Sequence, residues 1–75
     1  MNHPGPLVAR LRQARGLKQQ ELADRVGVDQ RTISHIEKMR RKPSIKLAIQ
    51  LANEFGISLD ELLGKDETEP EAVAQ

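Results

Sequence analysis

The sequence contains no cysteine, no tryptophan, no tyrosine and one phenylalanine, Phe55. Without cysteine there is no disulfide framework, and His3 and His35 alone cannot build a structural zinc site, so no metal and no cofactor are expected. No apolar run approaches the roughly 20 residues of a membrane-spanning helix, and Met1 to Pro6 lacks the basic start and apolar stretch of a signal peptide. The expected address is the cytoplasm, with no membrane partner. The ingredients of an enzyme are missing too: there is no glycine-rich phosphate loop and no close carboxylate pair in a plausible cleft. Asp60 and Glu61 read as helix-start acids favoured by the macrodipole. What remains is a chain of 75 residues, enough for one small core. Such a core is marginal unless its helices pack unusually well or a second chain adds buried surface.

The formal net charge of +1 conceals an uneven distribution. Asp66, Glu67, Glu69 and Glu71 leave residues 66–75 at −4. Residues 10–46 hold eleven cations against Glu21, Asp24, Asp29 and Glu37, a net +7. The chain is a basic body with an acidic tail.

Apolar residues recur at spacings of three and four between glycine and proline stops, which is the helical period, and no strand pattern competes. Leu7, Val8, Leu11 and Ala14 predict a first helix over about 6–15, closed by Gly16. Leu22, Ala23 and Val26 predict a second over about 18–26, closed by Gly27. Asp29 is a candidate N-cap for a third, over about 29–38, with Ile33 and Ile36 on its inner face. Pro43 and Ser44 announce a fourth, in which Ala48, Leu51, Ala52 and Phe55 face inward before Gly56. Ser58 and Glu61 have capping-box spacing for a fifth helix carrying Leu59, Leu62 and Leu63 before Gly64. The expected fold is all-α with five helices over residues 6–64, between a disordered N-terminus at 1–5 and an acidic disordered tail at 65–75.

Helices two and three are short and joined by three residues around Gly27, the proportions of a helix-turn-helix. Ala23 is small where two steeply crossing helices need a small side chain, and Gly27 supplies a positive φ. Val28, Ile33 and Ile36 anchor the third helix and leave its other face free. The segment QQELADRVGVDQRTISHIEK (Gln19 to Lys38) resembles the helix-turn-helix of the Cro and phage-repressor (Xre) family of transcriptional regulators. LRQARGLKQQELA before it and RKPSIKLAIQLANEFGISLDELL after it extend the resemblance to about residues 7–63. It implies a lambda-repressor-like DNA-binding domain whose third helix reads the major groove of double-stranded DNA.

Carried onto this chain, the resemblance implies base-edge readers at Gln30, Arg31 and His35, with Thr32 beside them. Arginine pairs twice with guanine and glutamine twice with adenine. Gln19 matches the family's phosphate-binding glutamine at a helix N-terminus. Lys38, Arg40, Arg41 and Lys42 follow the third helix where a loop leaving the major groove passes the sugar-phosphate backbone, and they are expected to meet phosphates. Lys18, Ser34 and Lys46 are further phosphate candidates, and Arg10 and Arg15 weaker ones. Arg12 and Glu37 match the family's buried ion pair between helices one and three, which is architectural.

Two positions depart from the family pattern. Lys38 and Met39 stand where glycine often ends the third helix. Neither is comfortable at positive φ, which leaves room for a further helical turn that would redirect the basic cluster. Lys18 replaces the usual Ser or Thr cap of helix two, leaving Glu21 without its capping-box partner.

A domain this small carries few base-reading side chains, and the family usually binds palindromes as dimers. A homodimer is therefore expected. Leu47, Ile49, Ile57 and Leu63 are not needed for the inner stripes, and Ile49 and Leu63 are the interface candidates. The function expected is sequence-specific DNA binding, mainly repression, as a phage-type repressor or a restriction-modification controller. The alternative is an antitoxin or co-regulator that uses the same fold as a protein-interaction module, its acidic tail docking a toxin or other protein partner.

Overall fold

A computed structural model describes residues 3–64. Its elements are α1 (Gly5–Ala14), α2 (Gln19–Val26), α3 (Gln30–Glu37), α4 (Ile45–Phe55) and α5 (Leu59–Leu63), and no strand occurs among the described residues. The tail expected to be disordered, 65–75, and residues 1–2 lie outside that range. Residues 3–5 do not stand apart from the domain as expected: Gly5 is buried and opens α1.

Local chemistry explains most helix ends. The Asp29 carboxylate accepts the Thr32 backbone N–H at 2.9 Å, and Ser44 Oγ accepts from Leu47 N–H at 3.1 Å. Ser58 and Glu61 form both halves of a capping box, each at 3.0 Å. At α2, Glu21 accepts the Lys18 backbone N–H at 2.7 Å. The Lys18 ammonium has no lone pair to return the bond, so one half of a capping box forms there.

The end of α3 overturns the prospect of a further helical turn. The helix stops at Glu37, and Met39 takes φ 63°. Met39 N–H donates to the Ile36 carbonyl at 3.0 Å and Arg40 N–H to that of His35 at 2.8 Å. These are the paired bonds of a Schellman stop. They cap the helix's open carbonyls with a methionine in the conformation that glycine adopts without strain.

α2 and α3 pack directly together, α1 lies against α3, and α4 bridges α2 and α5. Val8, Leu22, Ala23, Val26, Ile33, Ile36, Leu47, Ala48, Leu51, Ala52, Phe55 and Leu62 form one continuous core. Two details differ from the apolar stripes. Ala14 is exposed, whereas Leu47 is buried and completes the core. Leu7, Leu11, Leu17, Val28, Ile57, Leu59 and Leu63 cover its margins.

Candidate nucleic-acid interface

Burying Ile33 and Ile36, both with no exposed surface, fixes which way α3 turns its remaining residues. Gln30 and Arg31 are then exposed on the first turn, and Thr32, Ser34 and His35 are half-buried at its flanks. The Thr32 hydroxyl donates to the Asp29 carboxylate at 2.7 Å, so its proton is committed within the turn. That hydroxyl, followed by the Thr32 backbone N–H, holds the Asp29 carboxyl below its ordinary 3.8. An ionised Asp29 therefore caps the helix that presents Gln30 and Arg31.

The orientation of α3 is enforced from behind. Arg12 donates to both Glu37 carboxylate oxygens, at 2.7 and 3.1 Å, and its third contact is the Leu17 carbonyl at 2.8 Å. The two side chains are 14% and 7% exposed. Gln19 adds a bond at 3.0 Å from its amide to Glu37, while its carbonyl oxygen accepts from the Gln30 amide at 3.4 Å. A polar chain thus runs from α1 through Glu37 and Gln19 to Gln30 on the first turn of α3. Composition and spacing gave no sign of this linking role for Gln19.

The basic residues divide into two groups. Lys18, Lys38, Arg40, Arg41, Lys42 and Lys46 are all exposed, and among the described residues none of them forms an ion pair. Lys46 and Ser44 border a shallow groove beside the Gly27 and Val28 turn. Arg15 is used differently: its guanidinium donates to the carbonyls of Glu54 and Phe55 at 3.1 and 2.7 Å and lies 5.5 Å from the centre of the Phe55 ring. It caps α4, so its weaker candidacy for phosphate gives way to a structural role. Arg25, never a candidate, pairs with Glu54 at 2.8 Å.

The two dimer candidates separate as well. Ile49 is 44% exposed on α4, whereas Leu63 is partly buried and packs against the core. Ile45, one turn before Ile49 and 65% exposed, belongs to the same surface. Its position as the first residue after the Ser44 cap hid it from the periodicity.

At the N-terminus, Gly5 N–H donates to His3 Nδ1 at 2.9 Å, and His3 Nε2 lies 3.0 Å from the Arg41 carbonyl oxygen. A Cβ at Gly5 would overlap the Ile36 carbonyl oxygen. A glycine between two prolines at a helix start was the sequence signal for this close approach, because glycine is a poor helix former unless something must come near.

No helix among the described residues is long and apolar enough to cross a membrane, and no cluster of three or more His, Cys, Asp or Glu residues there could hold a metal ion. Comparison with known proteins agrees with the geometry. A helix-turn-helix family model matches residues 8–62. An uncharacterised HTH-type transcriptional regulator of Archaeoglobus fulgidus is 42% identical over 53 residues, 71% of this chain and 75% of that one. The P22 c2 repressor, crystallised with a synthetic operator, superposes with a TM-score of 0.81 at 26% identity, covering 88% of this chain and 100% of the repressor chain. The restriction-modification controller protein C.AhdI of Aeromonas hydrophila superposes with a TM-score of 0.73 at 32% identity, over 80% of this chain and 91% of that one. With the two-helix motif, its buried support and these relatives in agreement, the chain belongs to the helix-turn-helix family of transcriptional regulators.

Proposed function

We propose that this protein is a DNA-binding transcriptional regulator that acts in the cytoplasm on the nucleoid, as a homodimer on a two-fold symmetric operator. The observation that carries the reading is the exposed first turn of α3, where Gln30 and Arg31 stand opposite the buried Ile33 and Ile36. In this reading Gln30, Arg31 and His35 meet base edges, and Thr32 offers its methyl group to thymine. Lys18, Gln19, Ser34, Lys38, Arg40, Arg41, Lys42 and Lys46 lie along the flanking phosphates. Each phosphate neutralised releases counterions, so affinity falls steeply with salt. Ile49, with Ile45 one turn away, supplies apolar surface for the partner subunit, and the partly buried Leu63 of α5 contributes its exposed part. Repression follows from covering a promoter. The likeness to the P22 c2 repressor favours that role, and the likeness to C.AhdI supports control of a restriction-modification locus as the variant of it.

Selection of bound sequences from a random duplex pool tests the reading, because half-site, spacing and symmetry emerge together. Recovery of a palindrome is expected, and recovery of no preferred sequence would refute it. Within the selected site, Arg31→Ala should relax preference at one base pair. Arg41→Ala should weaken all sequences alike and flatten the salt dependence.

A further inference from the structure

We propose that His3 is a positioning residue for DNA binding: its imidazole latches the basic loop 38–42 to the start of α1 and holds that loop's cations in register with α3. The proposal rests on the phosphate-contact reading of the loop and goes beyond it, by naming what holds the loop in place.

The hydrogen bonds determine the state of the ring. Nδ1 accepts the Gly5 N–H at 2.9 Å, so it carries no proton. The proton resides on Nε2, which donates to the Arg41 carbonyl at 3.0 Å. One neutral tautomer satisfies both partners at once. The ring thereby joins the start of α1 to Arg41, 38 residues beyond His3 in the chain.

The loop needs such a tie. Its entry is the Schellman stop with Met39 at φ 63°, a strained conformation for a side chain with a Cβ. Its exit is Pro43 and the Ser44 cap of α4. Between those points, among the described residues, the Arg41 carbonyl bond is the side-chain contact that fixes the loop backbone. Lys38, Arg40, Arg41 and Lys42 are exposed and make no ion pair there. Their placement therefore depends on that backbone. Gly5 completes the arrangement: it lets α1 approach the Ile36 carbonyl closely enough for His3 to reach past the end of α3.

Three substitutions separate the latch from the helix start. His3→Ala removes both bonds. His3→Asn keeps an acceptor at the position of Nδ1 for Gly5 N–H but does not reach Arg41. His3→Gln places an amide donor at the reach of Nε2. The probe is a labelled random-sequence duplex at low salt, with the full chain titrated and the salt slope recorded. His3→Ala and His3→Asn should each weaken binding roughly fivefold, the scale of one net hydrogen bond, and flatten the slope. His3→Gln should restore most of the loss. In an Arg41→Ala/Lys42→Ala background the His3→Ala effect should shrink, because the cations it positions are gone.

Wild-type affinity and slope in His3→Ala and His3→Asn, with the loop-cation variant still impaired, would overturn the latch alone. Wild-type affinity in the loop-cation variant would instead overturn the phosphate reading on which it rests. Additive losses in the combined variant would also refute positioning. Nitrogen-15 shifts of the His3 ring give an independent readout: the Nε2–H tautomer is expected, and a tautomer mixture matching a free peptide would contradict the proposal.

Discussion

The two ends of α3 are held by different means. At the front, Asp29 and Thr32 satisfy one another across three residues, and the exposed Gln30 and Arg31 project from a turn that supports itself. At the back, Glu37 is gripped by Arg12 from α1 and Gln19 from α2, the Ile36 carbonyl abuts Gly5, and the exit loop is tied to His3. The front end is a local structure and the back end a tertiary one. A helix that reads DNA needs both, because local capping sets the conformation of the first turn while only contacts with other helices set its angle to the body. Gln19 bridges the two ends, bonding Glu37 at the back and Gln30 at the front.

Substitutions should therefore act unequally on the two ends. The largest effect is expected for Glu37→Ala, which strands the Arg12 guanidinium in a part-buried site and costs about 3–5 kcal/mol. DNA binding would be lost with the fold, so a melting temperature equal to wild type would defeat the claim that this pair is architectural. Next is Gly5→Ala. Its methyl group meets backbone rather than a flexible side chain, and overpacking of this kind costs about 1–3 kcal/mol. Amide exchange should speed up at Met39 and Arg40 and stay unchanged at Thr32. Equal acceleration at both ends would abolish the distinction between them.

A smaller change of opposite sign is expected for Met39→Gly. Relief of the left-handed conformation, less the extra freedom of glycine in the unfolded chain, should stabilise the domain by about 0.5–1 kcal/mol. The urea midpoint reports it, and a lowered midpoint would mean that the exposed Met39 side chain matters more than its backbone.

The smallest effect concerns the front end and pH. Asp29 has a carboxyl lowered below its ordinary value, chiefly by the Thr32 hydroxyl. Its contribution is present above the unfolded-state value and is lost as pH falls through the lower folded-state value. Acid titration of the melting temperature below about pH 4 should show this loss in the wild type. Asp29→Asn keeps an acceptor without a titrating group and should lack that component. Identical acid profiles would show that the cap does not depend on charge.

Legibility in the sequence followed the same division. The five helices, most of their inward-facing residues and the caps at Asp29, Ser44 and Ser58 are legible in the spacing, because each depends on residues within about one turn of one another. Exposure of Gln30 and Arg31 followed from Ile33 and Ile36 turning inward. The family register placed Arg12 opposite Glu37, and the structure joins them. Residues whose partners lie far along the chain were read less well. The Arg15 guanidinium is taken up by the end of α4, and Leu47, outside the apolar stripes, is buried in the core.

By itself, then, the sequence determined the helical architecture, the basic segment followed by an acidic tail, and the face of α3 left exposed. Those follow from periodicity, capping and charge, all of which act over short stretches of chain. Only the tertiary structure decided that α3 ends with Met39 in a left-handed turn, that Gln19 links Glu37 to Gln30, and that His3 reaches the Arg41 carbonyl. The physical reason is that a side chain with several possible bonds takes the partner that packing brings within reach, and packing joins residues that no local pattern connects.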